Sequence, residues 1–515
     1  MKGPDRSAVG RLLATCWLPA AIACVIGALY VCYSVAQWRA LVAPSWDLGI
    51  FTEAVQAYSH FEAPIVPIKG PGYNLLGDHF HPILALLGPI FRLFPSALTL
   101  LVVQDLLIAA SVLPIARLAQ RLLGRGGALL VGLAYGLGWG LQGAVGAQFH
   151  EVCMAVPLLA FGGVAFVERR WGACMAWLAP LVLVKEDLGL TVFVAGLALA
   201  WRRRGEGRPA VLWSIAYALC GIVAFVLTVK VLLPMMNPAG TWAYSLDGSA
   251  TGAGTPTGGT TAARDIPSLW DILTTPSVKL VTLIVLAAGA GFVGTASPWF
   301  ALVAPTLAWR FAGSVESYYG WDSWHYNAVL VPIAACSLLD VIDRRLALER
   351  ASRSASASAL AEAVGEGALR ELRAYQGAST SPTRGWRVAA WAVACVPAAS
   401  LAFTASSLPL WHLPDLKEDP RMAAALGALD AVPEGVSVET DTTLLARLVP
   451  GREVYWVGTT GSMDTPPEYV VIDARSYAWG DQQVDAESWG SAAHPGHSYE
   501  TVYAKQGFRV VRRTS

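Results

Sequence analysis

Eleven side chains able to move protons, bind cations or hold anions fall at the ends or breaks of apolar runs: Asp47, His79, His81, His150, Glu151, Lys185, Glu186, Asp187, Glu316, Asp322 and His325. Asp78-His79-Phe80-His81-Pro82 is the densest group. In an extended backbone His79 and His81 share one side with Phe80 opposed, and Pro82 suits a first helical position. With His150 and Glu151 these histidines offer four nitrogen and oxygen ligands, enough for one divalent cation. The same groups suit substrate hydrogen bonding, acid/base chemistry or a structural cluster, and the spacing leaves all three open. Lys185-Glu186-Asp187 interrupts an apolar run, where consecutive charges are costly unless paired or facing water. If Lys185 pairs with one carboxylate the other stays free; a fully neutralised turn is the structural alternative. Asp47 opens the segment after the first apolar run, as a helix cap or as a functional carboxylate. Arg310, near an outer helix end, is a candidate phosphate contact. Trp46, Tyr73, Trp270, Tyr318, Tyr319, Trp321 and Trp324 crowd the same side, as an interfacial belt or as rings for stacking on sugars.

The elements that must position these groups cross a membrane. Of 515 residues, 55% are hydrophobic and 14% charged, with mean hydropathy +0.48; soluble chains carry about a quarter charged residues. Lys plus Arg and Asp plus Glu both number 37, so net charge offers no basis for a nucleic-acid partner. Apolar stretches cover 13–35, 97–118, 127–147, 151–167, 210–233, 278–297, 326–342 and 387–407. Residues 173–200 read as a hairpin of two short spans with Lys185-Glu186-Asp187 at its turn, and 278–312 as a second short pair broken at Ser297-Pro298. Arginines at 117–125, 169–170, 202–208 and 344–345 mark cytoplasmic turns. About eleven crossings follow, with the N-terminus inside, the C-terminus outside and every listed reactive group at the outer face. The first run lacks a cleavage site and reads as a retained span. The eight cysteines lie in apolar runs without ligand spacing, which argues against a thiolate metal site.

The membrane part covers 1–409. Within it the first outer loop, 40–97, contains an expected interfacial helix from Asp47 to Phe61. The outer loop 234–276 holds a glycine- and threonine-rich stretch, a flexible linker or lid. The loop 346–384 is cytoplasmic and suits an exposed helix. Residues 410–515 form a small extracytoplasmic α/β domain, with strands at 436–439, 453–457 and 469–473 and a short helix at 442–448. No glycine-rich phosphate loop follows these strands, so no nucleotide cofactor is expected.

Asp47-Leu-Gly-Ile-Phe51, Gly77-Asp-His-Phe-His-Pro82, Phe149-His-Glu151, Lys185-Glu-Asp187 and His325-Tyr326 resemble a bacterial and archaeal family of membrane proteins, domain of unknown function 2079. The tail from Leu445 to Trp456 and Glu468 to Asp473 is similar to that family's outer domain. The resemblance implies a relation to the GT-C glycosyltransferases, and hence a polytopic all-α fold of GT-C type with a small outer domain, in the bacterial cytoplasmic membrane. It implies a polyprenyl-phosphate-linked sugar donor at the outer leaflet and a glycan, lipid or protein acceptor in the envelope. Asp47 matches the first-loop aspartate of such enzymes and would act as general base in an inverting transfer. Gly49 stands where many relatives carry a second acidic residue, which weakens the case for a metal. On this reading His79, His81 or His150 meets the departing phosphate, and Lys185 or Arg310 anchors it. Glu186 or Asp187 holds sugar hydroxyls, and Tyr73, Glu151, His325 and Tyr326 line the substrate site. A transporter or flippase of a lipid-linked saccharide, and a non-enzymatic envelope assembly factor, are the competing readings.

Overall fold

The computed structural model describes residues 6–237, 269–313, 315–322, 324–364, 384–461 and 463–514. Most of the expected loop 234–276, and the part of the loop 346–384 after Val364, lie outside the described residues.

A helical bundle carries the site at one end. Helix α1 (Arg6–Arg39) packs on α4 (Ala97–Gly136), where the Tyr30 hydroxyl donates to the Gly136 carbonyl at 2.6 Å. Helix α4 folds back on itself at Gly124, whose φ of 78° is left-handed backbone that glycine adopts without a Cβ clash. Tyr135 therefore reaches Ser111 at 2.7 Å, and Gly132 lies against Ala116. The spans expected at 97–118 and 127–147 are the two limbs of this hairpin, the second continuing into α5 (Trp139–Gly146).

Helix α6 (Ala155–Val167) leads to α7 (Trp171–Leu178), and α8 (Leu188–Arg202) returns beside it. The Trp171 indole donates to Glu206 at 2.9 Å, which closes the arginine-rich end and leaves Lys185-Glu186-Asp187 at the other, as the hairpin reading required. Helix α9 (Arg208–Leu227) crosses α8 at small residues: a Cβ on Gly221 would stand 2.6 Å from the Phe193 backbone nitrogen. Such contacts let helix backbones approach where apolar burial gives little drive in lipid.

Ser297-Pro298 does interrupt the next pair, between α12 (Val278–Gly289) and α13 (Ala304–Ala312). The helix Leu330–Val364 runs on through the start of the expected cytoplasmic loop, and Arg384–Thr404 is the last long apolar helix. Four described helical segments are long and apolar enough to cross a membrane: Trp17–Arg39, Ala97–Gly146, Arg208–Met236 and Gly385–Ser407. That is fewer than the eleven crossings expected, because the remaining apolar helices are short pieces joined by turns and 3₁₀ segments.

The C-terminal part forms a five-stranded sheet in the order β2-β1-β3-β5-β4. Strands β1 (Ser437–Thr440), β2 (Glu453–Trp456) and β3 (Tyr469–Asp473) are parallel, as their separation by helix and loop requires. Strands β4 (Tyr499–Lys505) and β5 (Phe508–Arg513) add an antiparallel hairpin that the sequence reading did not identify. The short helix is Leu445–Leu448, shorter than expected.

One apolar core joins this domain to the first outer loop. Helix α2 (Asp47–Ser59) is at its centre, with Leu48 to Val55 buried. The expectation that it lies along the membrane is corrected: its polar Glu53 is buried too, accepting from the Ile68 amide at 3.1 Å. Leu445 packs on Gly49, and Trp456 meets Trp46 edge-on at 5.1 Å. The outer domain covers the helix that Asp47 begins.

Candidate functional site

Asp47 is the first residue of α2, where a helix N-terminus favours a negative charge. Its Oδ2 accepts from the Ser45 hydroxyl at 2.7 Å and lies 3.4 Å from His150 Nε2. His150 Nδ1 is 3.2 Å from the Gln148 carbonyl, and the His150 amide donates to Gln104 of α4 at 3.1 Å. A carbonyl only accepts, so Nδ1 carries the hydrogen and Nε2 faces Asp47. Burial pushes the Asp47 carboxyl up, but hydrogen bonds and charge from His150, with the Ser45 hydroxyl, hold it below the usual carboxylate range.

His325 stacks on His150 with ring centroids 3.7 Å apart, and Tyr326 lies beside His325 at 4.1 Å. Phe51 presents edges to Phe149, His150 and His81. His81 Nδ1 and His325 Nδ1 are buried and lack a hydrogen-bond partner. Burial pushes His81 down to about 4 and His325 well below the ordinary imidazole range, so both are neutral near pH 7.

The charged triplet is divided among three partners. Lys185 Nζ donates to Glu151 at 2.8 Å. Glu186 accepts from His79 at 2.8 Å and from the Phe80 amide at 3.1 Å. Asp187 accepts from the Trp309 indole at 3.0 Å and keeps Oδ1 buried without a partner. Burial works against charge on Glu186, but the charge and hydrogen bond of His79, with the Lys185 charge and a backbone hydrogen bond, together hold the carboxyl down at about 2. Burial also lowers His79, but the charge and hydrogen bond of Glu186 with the charge of Asp78 together more than reverse that, so His79 remains an imidazolium to higher pH than a free histidine. Asp187 goes the other way: burial and the Glu186 charge raise it to about 6 against the pull of Lys185.

The structure thus brings Asp47, His79, His81, His150, Glu151, Lys185, Glu186, Asp187, His325 and Tyr326 into one region beside α2. Tyr73 sits at its edge, 5.2 Å beneath Lys69, which pairs with Asp78 at 2.5 Å. Arg310 is fully buried and donates to the carbonyls of Tyr318, Gly320 and Tyr326 and to Asn327. Its geometry clamps the loop that presents His325.

The expected metal set is not assembled. Among the described residues no three His, Cys, Asp or Glu side chains converge as a metal site. His79 faces Glu186, Glu151 faces Lys185 and His150 faces Asp47, so each prospective ligand except His81 already has a partner.

Ser45, Gln104, Lys69 and Trp309 are site residues that sequence reasoning missed. Gln104 left a signal, as a buried amide in an apolar helix; Ser45 and Trp309 left none.

A family model described as Predicted membrane protein (DUF2079) matches residues 38–510. No curated protein matches the chain. Among solved structures, ArnT from Cupriavidus metallidurans bound to undecaprenyl phosphate is 14% identical, with 97% of this chain and 98% of that chain covered and a TM-score of 0.47. The apo state of the same protein is 15% identical, with 98% of each chain covered and a TM-score of 0.44.

Proposed function

The chain belongs to the DUF2079 family of predicted membrane proteins, and from that premise we propose that it is a glycosyltransferase moving a sugar from a polyprenyl-phosphate donor to an envelope acceptor. The observation that carries the proposal is the Asp47 carboxylate, held by Ser45 and His150 at the start of α2, the helix whose next residues pack on the C-terminal domain.

In the reaction the acceptor hydroxyl oxygen bonds to the anomeric carbon from the face opposite the lipid phosphate. The carbon–oxygen bond to that phosphate breaks, its electron pair leaves with the phosphate, and the hydroxyl proton passes to Asp47. A carboxylate held below the usual range is ionised at neutral pH. It takes the proton once the attacking oxygen has begun bonding to carbon and its acidity has risen. Lys185 and the His79 imidazolium supply positive charge to the departing phosphate. The bare Asp187 Oδ1 and the free Nδ1 atoms of His81 and His325 are left for sugar hydroxyls, since buried polar atoms without partners are rare.

The test measures radiolabelled sugar passing from polyprenyl-linked donor to envelope acceptor in membranes. Asp47→Asn is expected to bind donor while transfer falls by at least about a hundredfold. Undiminished transfer removes Asp47 from the mechanism. Translocation of the lipid-linked sugar without any new glycosidic bond replaces the proposal with a transporter.

A further inference from the structure

Helix α8 has the candidate site at its start and an unrelated pocket at its end, about 22 Å away for 15 residues at 1.5 Å each. Trp201, Arg202, Arg204, Gly205, Pro298 and Arg344 line this pocket, which encloses about 590 Å³, its open mouth included. Its charge is unbalanced. Arg202 and Arg344 share one fully buried carboxylate, Asp340, at 2.9 and 3.2 Å, and Asp340 also accepts from Ser297 at 2.7 Å. Arg204 has no carboxylate partner among the described residues: it stacks on Trp201 at 4.2 Å and donates to that residue's carbonyl. Glu206, close in sequence, is engaged by Arg203 and by the Trp171 indole. The three guanidinium groups therefore have one ion-paired carboxylate among them, with Asp343 acting on Arg202 from further off.

The pocket opens beside an apolar wall. Trp201 and Leu197 are four residues apart on α8, on one face, and are 61% and 44% exposed. A guanidinium cluster presents forked donors suited to phosphate oxygens, and an exposed apolar strip running away from it suits an acyl or prenyl chain. We propose that this pocket binds a lipid with a net anionic phosphate headgroup, the headgroup against Arg204 and Arg344 and the chain along Trp201 and Leu197. A free anion would use the arginines alone, and a neutral lipid only the apolar strip. The binding is independent of the transfer reaction, because no residue is shared with the Asp47 site.

The experiment is a competition assay on the purified full chain in neutral detergent, with fluorescent phosphatidylglycerol as the bound probe. Unlabelled phosphatidylglycerol or polyprenyl phosphate should displace it at concentrations at least about tenfold below those of phosphatidylcholine, and the tighter of the two identifies the lipid. Inorganic phosphate should not displace it at matched concentration. Arg204→Gln should weaken displacement about tenfold and Arg204→Lys less, while Asp47→Asn should leave it unchanged. Equal competition by phosphatidylcholine, displacement by inorganic phosphate, or an unaltered Arg204→Gln protein overturns the proposal. If Arg204→Gln fails to fold, wild-type protein decides: raising salt from about 0.05 to 0.5 M must weaken a headgroup contact and leaves a purely apolar one intact.

Discussion

At the scale of single residues, the site is a set of mutual neutralisations with a few atoms left over. Lys185 and Glu151 are both nearly excluded from water, so removing one strands the other. Lys185→Gln or Glu151→Gln alone should lower unfolding stability by about 3–5 kcal/mol, and the double variant by clearly less; equal losses in all three would refute the pairing. The Glu186–His79 pair carries a pH dependence with a definite sign. His79 is raised in the folded protein, so its stabilisation is complete below the free-histidine value near 6.5 and is lost as pH rises through the higher folded value. Transfer and thermal stability should therefore fall together on the alkaline side. Glu186→Gln should move that fall to lower pH, as read from a pH series of melting temperatures. The occupied partners of His79, His150 and Glu151 also lead us to expect transfer to persist in excess chelator, with metal analysis of the same sample as the check.

At the scale of elements, close helix crossings set the geometry that the residues need. The α8–α9 crossing has no room for a methyl group at Gly221, where the nearest neighbour is backbone and cannot rotate away. Gly221→Ala should lower the melting temperature and, through the displaced start of α8, reduce transfer. Gly172→Ala, where nothing lies within 4 Å of an added Cβ, should do neither. Equal behaviour of the two variants would show that the crossing has no part in placing Glu186 and Asp187. Arg310 works at this scale as well, since its bonds to Tyr318, Gly320, Tyr326 and Asn327 fix a loop whose described residues hold a single 3₁₀ turn, Glu316–Tyr318.

At the scale of the whole molecule, the outer domain and the first outer loop share one core, so the domain belongs to the site's construction. Trp456→Ala removes the ring packed on Trp46, and should loosen α2 and lower transfer while the protein still inserts in the membrane. Normal transfer by this variant would show that the domain does not support Asp47. From the arginine-rich turns we expect the site and the tail outside. Cysteines introduced at Asp481 and Thr514 should therefore react with a membrane-impermeant thiol probe on intact cells, and one at Gly205 should not. Labelling at Gly205 alone would invert the molecule.

The sequence by itself determined the membrane class, the hairpin around Lys185-Glu186-Asp187, the break at Ser297-Pro298 and three of the five strands of the tail. Each is a local matter of hydropathy length, charge placement or period-two patterning, which a linear reading detects. It also named most of the residues that meet in the site, because ionisable groups at the ends of apolar runs are conspicuous. The pairing was decided only by tertiary structure. Whether His79 joins a metal or Glu186, and whether Arg310 faces a ligand or carbonyls, depends on side chains far apart in the chain. Helix α2 shows the same limit. Its polar residues suit a surface helix, but the C-terminal domain, contributed by residues some four hundred positions later, packs on it, and Glu53 among them is buried. Amphipathic patterning tells which side of a helix is polar; only the fold supplies what that side meets.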